Sequence, residues 1–345
     1  MKNSFYQLTF RELCSNLSAH SLSESGAKLL YNWHYKKKRI DPCTHNLALD
    51  TIALIDKQFH FQLPSIVQTQ LADDKTVKFL VELTDGEKIE MVLIPFQNKY
   101  TLCLSTQVGC AMKCSFCYTG TQGLKRNLAC EEIIGQFIIA DRWLGENRPD
   151  EGKLRNIVFM GQGEPLHNFD AVKKSCEILL DQHGASLGAQ RITISTAGYL
   201  PGLLRWKDEM PGVNIALSLH SVDDEKRSKL IPINHKYPLA QIMEVINSLP
   251  LARKQYVIFE YLLIDEFNDS EEDAIKLGQY LDKSRSIVNL IPYNPIPENN
   301  FKRPSDSKVE AFKAILDAQK IPALIRGTKG DSILAACGQL NSRIR

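Results

Sequence analysis

The run Cys110-Ala111-Met112-Lys113-Cys114-Ser115-Phe116-Cys117 places three thiols four and three residues apart, so that one loop can turn them toward one metal centre. Zinc is one reading, but a structural zinc site normally takes four protein ligands, and no fourth Cys or His stands nearby. Three thiolates suit a 4Fe–4S cluster instead, with one ligand per iron and one iron left open to bind a substrate. The chain has nine cysteines, an odd number, and a reducing compartment would not turn them into a disulfide framework. Cys14, Cys43, Cys130 and Cys176 stand in helix-like sequence and read as small buried hydrophobes. Cys103 sits in an apolar strand, where packing is the ordinary use of a thiol. Cys337 is harder to explain by packing, because Gly327, Gly330 and Gly338 surround it with flexible chain.

Elements must hold these groups in place. Residues 1 to about 60 carry apolar groups at helical spacing, as in Phe10-Arg11-Glu12-Leu13 and Ala27–Trp33. Val77, Phe79, Val81 and Leu83 then fall on one face of a strand, Thr84-Asp85-Gly86-Glu87 makes a turn, and Ile89, Met91 and Leu93 alternate beyond it. This is a hairpin pattern, closed by Pro95 and Gln97-Asn98. From residue 100, strands predicted at Thr101–Val108, Asn156–Met160, Arg191–Ser195, Val213–Leu219, Tyr256–Leu263 and Ile287–Ile291 alternate with helices. The helices are predicted at Glu131–Leu144, Ala171–Gln182, Leu239–Leu249, Glu271–Leu281 and Lys308–Ala318. Such alternation implies an α/β fold with a parallel sheet, either an open doubly wound sheet or a whole or partial barrel. The expected division is a helical accessory domain over 1–75, a β-hairpin connector over 76–98, and a core over 99–345.

The CxxxCxxC spacing resembles that of radical S-adenosylmethionine enzymes. The resemblance implies a partial (β/α) barrel, one 4Fe–4S cluster held by Cys110, Cys114 and Cys117, and S-adenosylmethionine on the open iron. Sites in such barrels lie at the carboxyl ends of the strands. Gly161-Gln162-Gly163-Glu164-Pro165 follows the second predicted strand, Ser195 ends the third, Ser218-Leu219-His220 ends the fourth, and Asn294 follows the sixth. Gly163, Glu164, Ser195, Ser218, Leu219, His220 and Asn294 are therefore the expected cofactor-binding set. Singly, each has an ordinary structural explanation, and their shared position at the rim is the argument.

Thr101–Cys110, Gly120–Leu128 and Ala335-Ala336-Cys337-Gly338-Gln339-Leu340 closely resemble the RlmN/Cfr family of RNA adenine methyltransferases, a likeness running from about residue 20 to residue 340. It implies methylation of carbon-2 of adenosine in 23S ribosomal RNA at the peptidyl-transferase centre, and of the adenosine 3′ of the tRNA anticodon. In that scheme Cys337 carries the methyl group, Cys103 resolves an enzyme–RNA crosslink through a transient disulfide, and Glu90 removes the ring proton. Two S-adenosylmethionine molecules are used per turnover, and a reducing protein supplies electrons. Methionine is common where Gln162 stands, while the flanking glycines and Glu164 keep the pattern. Pro165 is more like the carbon-2 enzymes than the carbon-8 resistance branch, which is the alternative.

The 345 residues are 43% hydrophobic and 24% charged, which excludes a disordered or collagen-like chain. No stretch is apolar enough for a membrane span, and the N-terminus lacks a secretory pattern, so a cytoplasmic location is expected; a monomer is expected as well. The net charge of +2 does not announce a nucleic-acid partner. Lys36-Lys37-Lys38-Arg39 and the C-terminal Lys320, Arg326, Lys329, Arg343 and Arg345 are local basic runs suited to phosphates. A non-catalytic iron–sulfur protein that binds RNA or senses redox state would also use the cysteine loop and these runs. It gives no reason for Cys103 and Cys337.

Overall fold

The computed structural model describes residues 2–41, 46–210, 212–253, 255–297 and 299–342; Cys43, Arg343 and Arg345 lie outside them. The main sheet begins with β1 (Ser65–Leu71), β2 (Val77–Glu82) and β3 (Lys88–Phe96), which are antiparallel. Next come β4 (Lys99–Cys103), β5 (Lys153–Phe159), β6 (Ile192–Thr196), β7 (Asn214–Ser218), β8 (Val257–Leu263), β9 (Ser286–Pro292) and β10 (Ala323–Ile325). Neighbours in sequence are neighbours in space across these ten strands. From β4 to β10 every pairing is parallel, and the sheet stays open, as a partial barrel does. The hairpin β2–β3 is continuous with it, because β3 pairs antiparallel with β4.

The strand expected over Thr101–Val108 is broken. β4 ends at Cys103, and Gln107–Gly109 turns away to pair with Leu124–Asn127. The cause is the loop after β5, which folds back onto the break: Gly161 N–H donates to Leu104 O (2.9 Å) and Thr106 N–H to Gln162 O (2.8 Å). A Cβ on Gly161 would stand 2.6 Å from Leu104 O, and one on Gly163 would stand 2.6 Å from Gln107 Cβ. Gly163 also has φ +102°, a backbone state that other residues rarely adopt.

The N-terminal helices are α1 (Phe10–Ala19), α2 (Glu24–Tyr31) and α3 (Leu49–Gln58). Thr9 and Glu12 cap α1 reciprocally, as expected of a Thr-x-x-Glu start. Helices around the barrel are α4 (Cys130–Asn147), α5 (Phe169–Leu180), α6 (Leu200–Glu209), α7 (Asp224–Leu230), α8 (Leu239–Ser248), α9 (Glu271–Tyr280) and α10 (Asp306–Ala318). Phe5, Leu13, Leu17 and Tyr31 belong to the same apolar core as the barrel strands. Lys38 pairs with Asp141 of α4, and Glu12 with Lys174 of α5. Cys130 and Cys176 are buried packing groups, while Cys14 is half-buried. Among the described residues no helix is long and apolar enough to cross a membrane.

Candidate active site

A cavity of about 140 Å³ opens at the carboxyl ends of the parallel strands. Cys110, Cys114 and Cys117 line one side, and Gly163, Glu164, Ser195, Ser218 and His220 line the rest together with Glu260 and Cys337. The cysteine loop is held from outside. Ser115 donates from its N–H to Leu230 O (3.0 Å) and from its hydroxyl to Lys229 O (2.9 Å), which ties the loop to the end of α7. Tyr118 N–H donates to Gly338 O (2.7 Å), joining the loop to the C-terminal segment.

Glu164 is buried, and its carboxylate accepts from Ala197 N–H (2.8 Å) and Leu166 N–H (3.1 Å). Burial outweighs these bonds and pushes its carboxyl up to about 7. His220 is held neutral, its pKa lowered to about 3 by burial and then by Arg227. Its Nδ1 accepts from Leu262 N–H (3.0 Å), and its ring meets Phe116 edge-on at 4.8 Å. Leu219 lies behind the cavity wall and donates to Glu260 O (2.9 Å). Asn294 is not in the lining; its Nδ2 donates to Cys337 O (3.3 Å) and so fixes the segment that carries the thiol.

Cys337 is an exposed residue that lines the cavity, with neighbouring groups drawing water away from its sulfur. That desolvation, with Glu260, Cys117 and Cys103 adding to it, pushes the thiol up to about 12. Cys103 is buried beside Val92, Ala335 and Leu340, and burial puts it also at about 12. Glu90 lies on the same face of the sheet but outside the cavity lining. Its Oε1 stands 3.0 Å from Lys78 Nζ, and its Oε2 accepts from Asn341 N–H. The C-terminal segment thus covers Glu90 and Cys103 while presenting Cys337 to the cavity.

The Radical SAM superfamily model matches residues 104–278. A Dual-specificity RNA methyltransferase RlmN from Dinoroseobacter shibae is 39% identical over 99% of this chain and 90% of its own length. The protein of that name from Nautilia profundicola is 40% identical over 92% of each chain. A crystal structure of a radical SAM methyltransferase from Sphaerobacter thermophilus gives a TM-score of 0.89 at 37% identity, covering 99% of this chain and 100% of that one. The chain belongs to the RlmN family of radical SAM methyltransferases. It is an S-adenosylmethionine-dependent RNA methyltransferase, and membership implies a 4Fe–4S cluster and S-adenosylmethionine.

The donor set fits that implication. Among the described residues no group of three Cys, His, Asp or Glu closes on a single metal ion, whereas three free thiols spread around one cavity. That spacing suits a multi-iron body better than zinc. All three thiols are raised by burial, so loading the site must expel protons.

Two buried charged groups at this cavity, one in its lining and one behind its wall, were not singled out from the sequence. Glu260 is a buried carboxylate on β8; Asn289 Nδ2 donates to its Oε1 (2.8 Å), and no described residue bonds its Oε2. A signal existed, since Val257-Ile258-Phe259-Glu260-Tyr261-Leu262-Leu263 interrupts an apolar strand with one acid. Arg227 gave none, being one cation in the charged run Asp223–Arg227.

Proposed function

We propose that this chain methylates carbon-2 of adenosine in 23S ribosomal RNA at the peptidyl-transferase centre, and of the adenosine 3′ of the tRNA anticodon. The observation that carries the reading is Cys337, a thiol on a glycine-bounded segment that lines the same cavity as the cysteine loop. Carbon-2 lies between two ring nitrogens and is too electron-poor to attack a sulfonium methyl, so a carrier on the protein is needed.

Cys110, Cys114 and Cys117 would hold the cluster, with Gly163, Glu164, Ser195, Ser218, Leu219 and His220 forming the cofactor bed. Asn294 contributes through the Cys337 carbonyl. When bound, the cluster and two S-adenosylmethionine molecules per turnover supply the methyl group and the radical that activates it. Cys337 gives up its proton and carries the methyl as a thioether; that methyl gives up one hydrogen atom, and its carbon then bonds to carbon-2 of the adenine ring. Glu90 takes the ring proton once Asn341 releases its carboxylate. The Cys103 thiolate attacks the Cys337 sulfur and breaks its bond to the methylene carbon; that carbon takes up a proton, the adduct gives up its one excess electron, which the oxidised cluster would accept, and methylated RNA leaves as a disulfide joins the two sulfurs. A reducing protein partner restores both thiols and delivers the electron for the radical. The enzyme acts as a cytoplasmic monomer.

Reconstituted protein should be incubated with a 23S fragment and with tRNA, and the digested nucleosides resolved by chromatography and mass spectrometry. The reading expects 2-methyladenosine in both. Formation of 8-methyladenosine alone, or of neither, overturns it.

A further inference from the structure

Arg227 of α7 has no accessible surface, and among the described residues it makes no ion pair with a carboxylate. Its guanidinium donates to Ala197 O (2.8 Å), Ser218 O (3.0 Å) and Leu219 O (3.2 Å), and to Asn234 Oδ1. The three carbonyls belong to the ends of β6 and β7, the walls of the cavity. Asp224 makes no direct bond to the guanidinium: its hydrogen-bond link runs through Asn234, whose Nδ2 donates to Asp224 Oδ1 (2.8 Å), so its charge offsets the guanidinium from a distance. Carbonyl dipoles and an amide satisfy the donors but leave the net charge in place. A buried charge is ordinarily paired with its opposite.

The helix that carries this cation is also the one on which the cysteine loop sits, through the two Ser115 bonds to Lys229 and Leu230. Arg227 also bonds the carbonyls of Ala197 and Ser218, residues that line the same cavity as Cys114 and His220. Three thiolates around a four-iron cluster leave one net negative charge in the oxidised state and two after one-electron reduction. With Arg227 behind the cavity wall, that negative charge has its counterpart.

We propose that Arg227 is a positioning residue for the radical reaction: a buried counter-charge that eases one-electron reduction of the cluster while its hydrogen bonds pin the ends of β6 and β7. This rests on Cys110, Cys114 and Cys117 holding the cluster, and it is independent of which adenine carbon is methylated.

The test compares holoenzyme with Arg227→Lys and Arg227→Gln, measuring the cluster's midpoint potential by a redox titration followed by electron paramagnetic resonance, with a thermal melt of each. Neither variant can make the four bonds, so both lose stability. Only Gln also loses the charge. At a fixed poise its ratio of reduced to oxidised cluster should fall about tenfold, a shift of about 59 mV to more negative potential, while Lys stays at the wild-type value. Failure of the Gln variant to hold a cluster, with Lys holding one at unshifted potential, supports the same conclusion. Equal shifts in both, no shift in either, or cluster loss in both would reduce Arg227 to a packing role. A wild-type chain that takes up no cluster would instead sink the ligand assignment.

Discussion

Glu90 shows how far a single side chain depends on what covers it. Burial raises its carboxyl above the usual range, and Lys78, 3.0 Å away and itself buried, pulls it back. Removing one member of such a pair strands the other charge out of water. Lys78→Met should therefore cost about 3–5 kcal/mol in a denaturant titration, and adding Glu90→Leu should restore much of it. A double variant no more stable than Lys78→Met would mean that the pair is not coupled. The sequence made Glu90 visible as a strand residue facing away from Ile89, Met91 and Leu93. It did not reveal that the opposite face is buried too. The cover comes from residues about 250 positions later: Lys78 Nζ donates to Leu334 O, and Ala335 and Leu340 pack on Val92 and Cys103. No local pattern carries that information.

At the level of elements, the alternation of strands and helices was readable because each parallel strand is a short apolar run between helical faces. Two features were not. The break after Cys103 depends on glycines of a loop about sixty residues later, and α7 buries Arg227 from a run rich in charged residues. The N-terminal elements gather Phe5, Tyr6 and Phe61 around His34, whose ring stacks on Phe61 at 4.6 Å, with Tyr31 and Tyr35 packed on Phe5. Burial lowers the His34 pKa to about 4. An unfolded chain takes up that proton near the ordinary 6.5, so the neutral ring's contribution is complete above that pH and is lost as pH falls toward 4. The loss is at most roughly 3 kcal/mol. His34→Phe should weaken the protein at pH 7 yet flatten this decline, as urea midpoints at pH 7 and pH 4.5 would show. Parallel declines in the two proteins would contradict the assignment.

Across the whole molecule, the basic run beside the aromatic cluster is partly spent on the fold. Lys38 pairs with Asp141 and Arg39 with Asp41, while Lys37 lies 5.4 Å from the Trp33 ring centroid. Lys36 and Lys37 are then the members of the run best placed for phosphates. Replacing both with Ala should reduce the slope of log affinity for RNA against log salt by about 1.4, the value for two phosphate contacts on a single strand. Cluster content should not change. An unaltered slope would make the run a solvated surface. The near-neutral total charge hid this, since only local clustering matters to a phosphate.

In the proposed reaction Cys337 carries the methyl and Cys103 releases the product, and Cys103→Ala separates these two roles. The variant should still load its cluster and still methylate Cys337, then stop with RNA bonded through that sulfur, seen on a denaturing gel as a nuclease-sensitive adduct. The double variant Cys103→Ala/Cys337→Ala should carry none. A single variant with a normal cluster and a methylated Cys337 but no adduct would mean that Cys103 is not the resolving thiol.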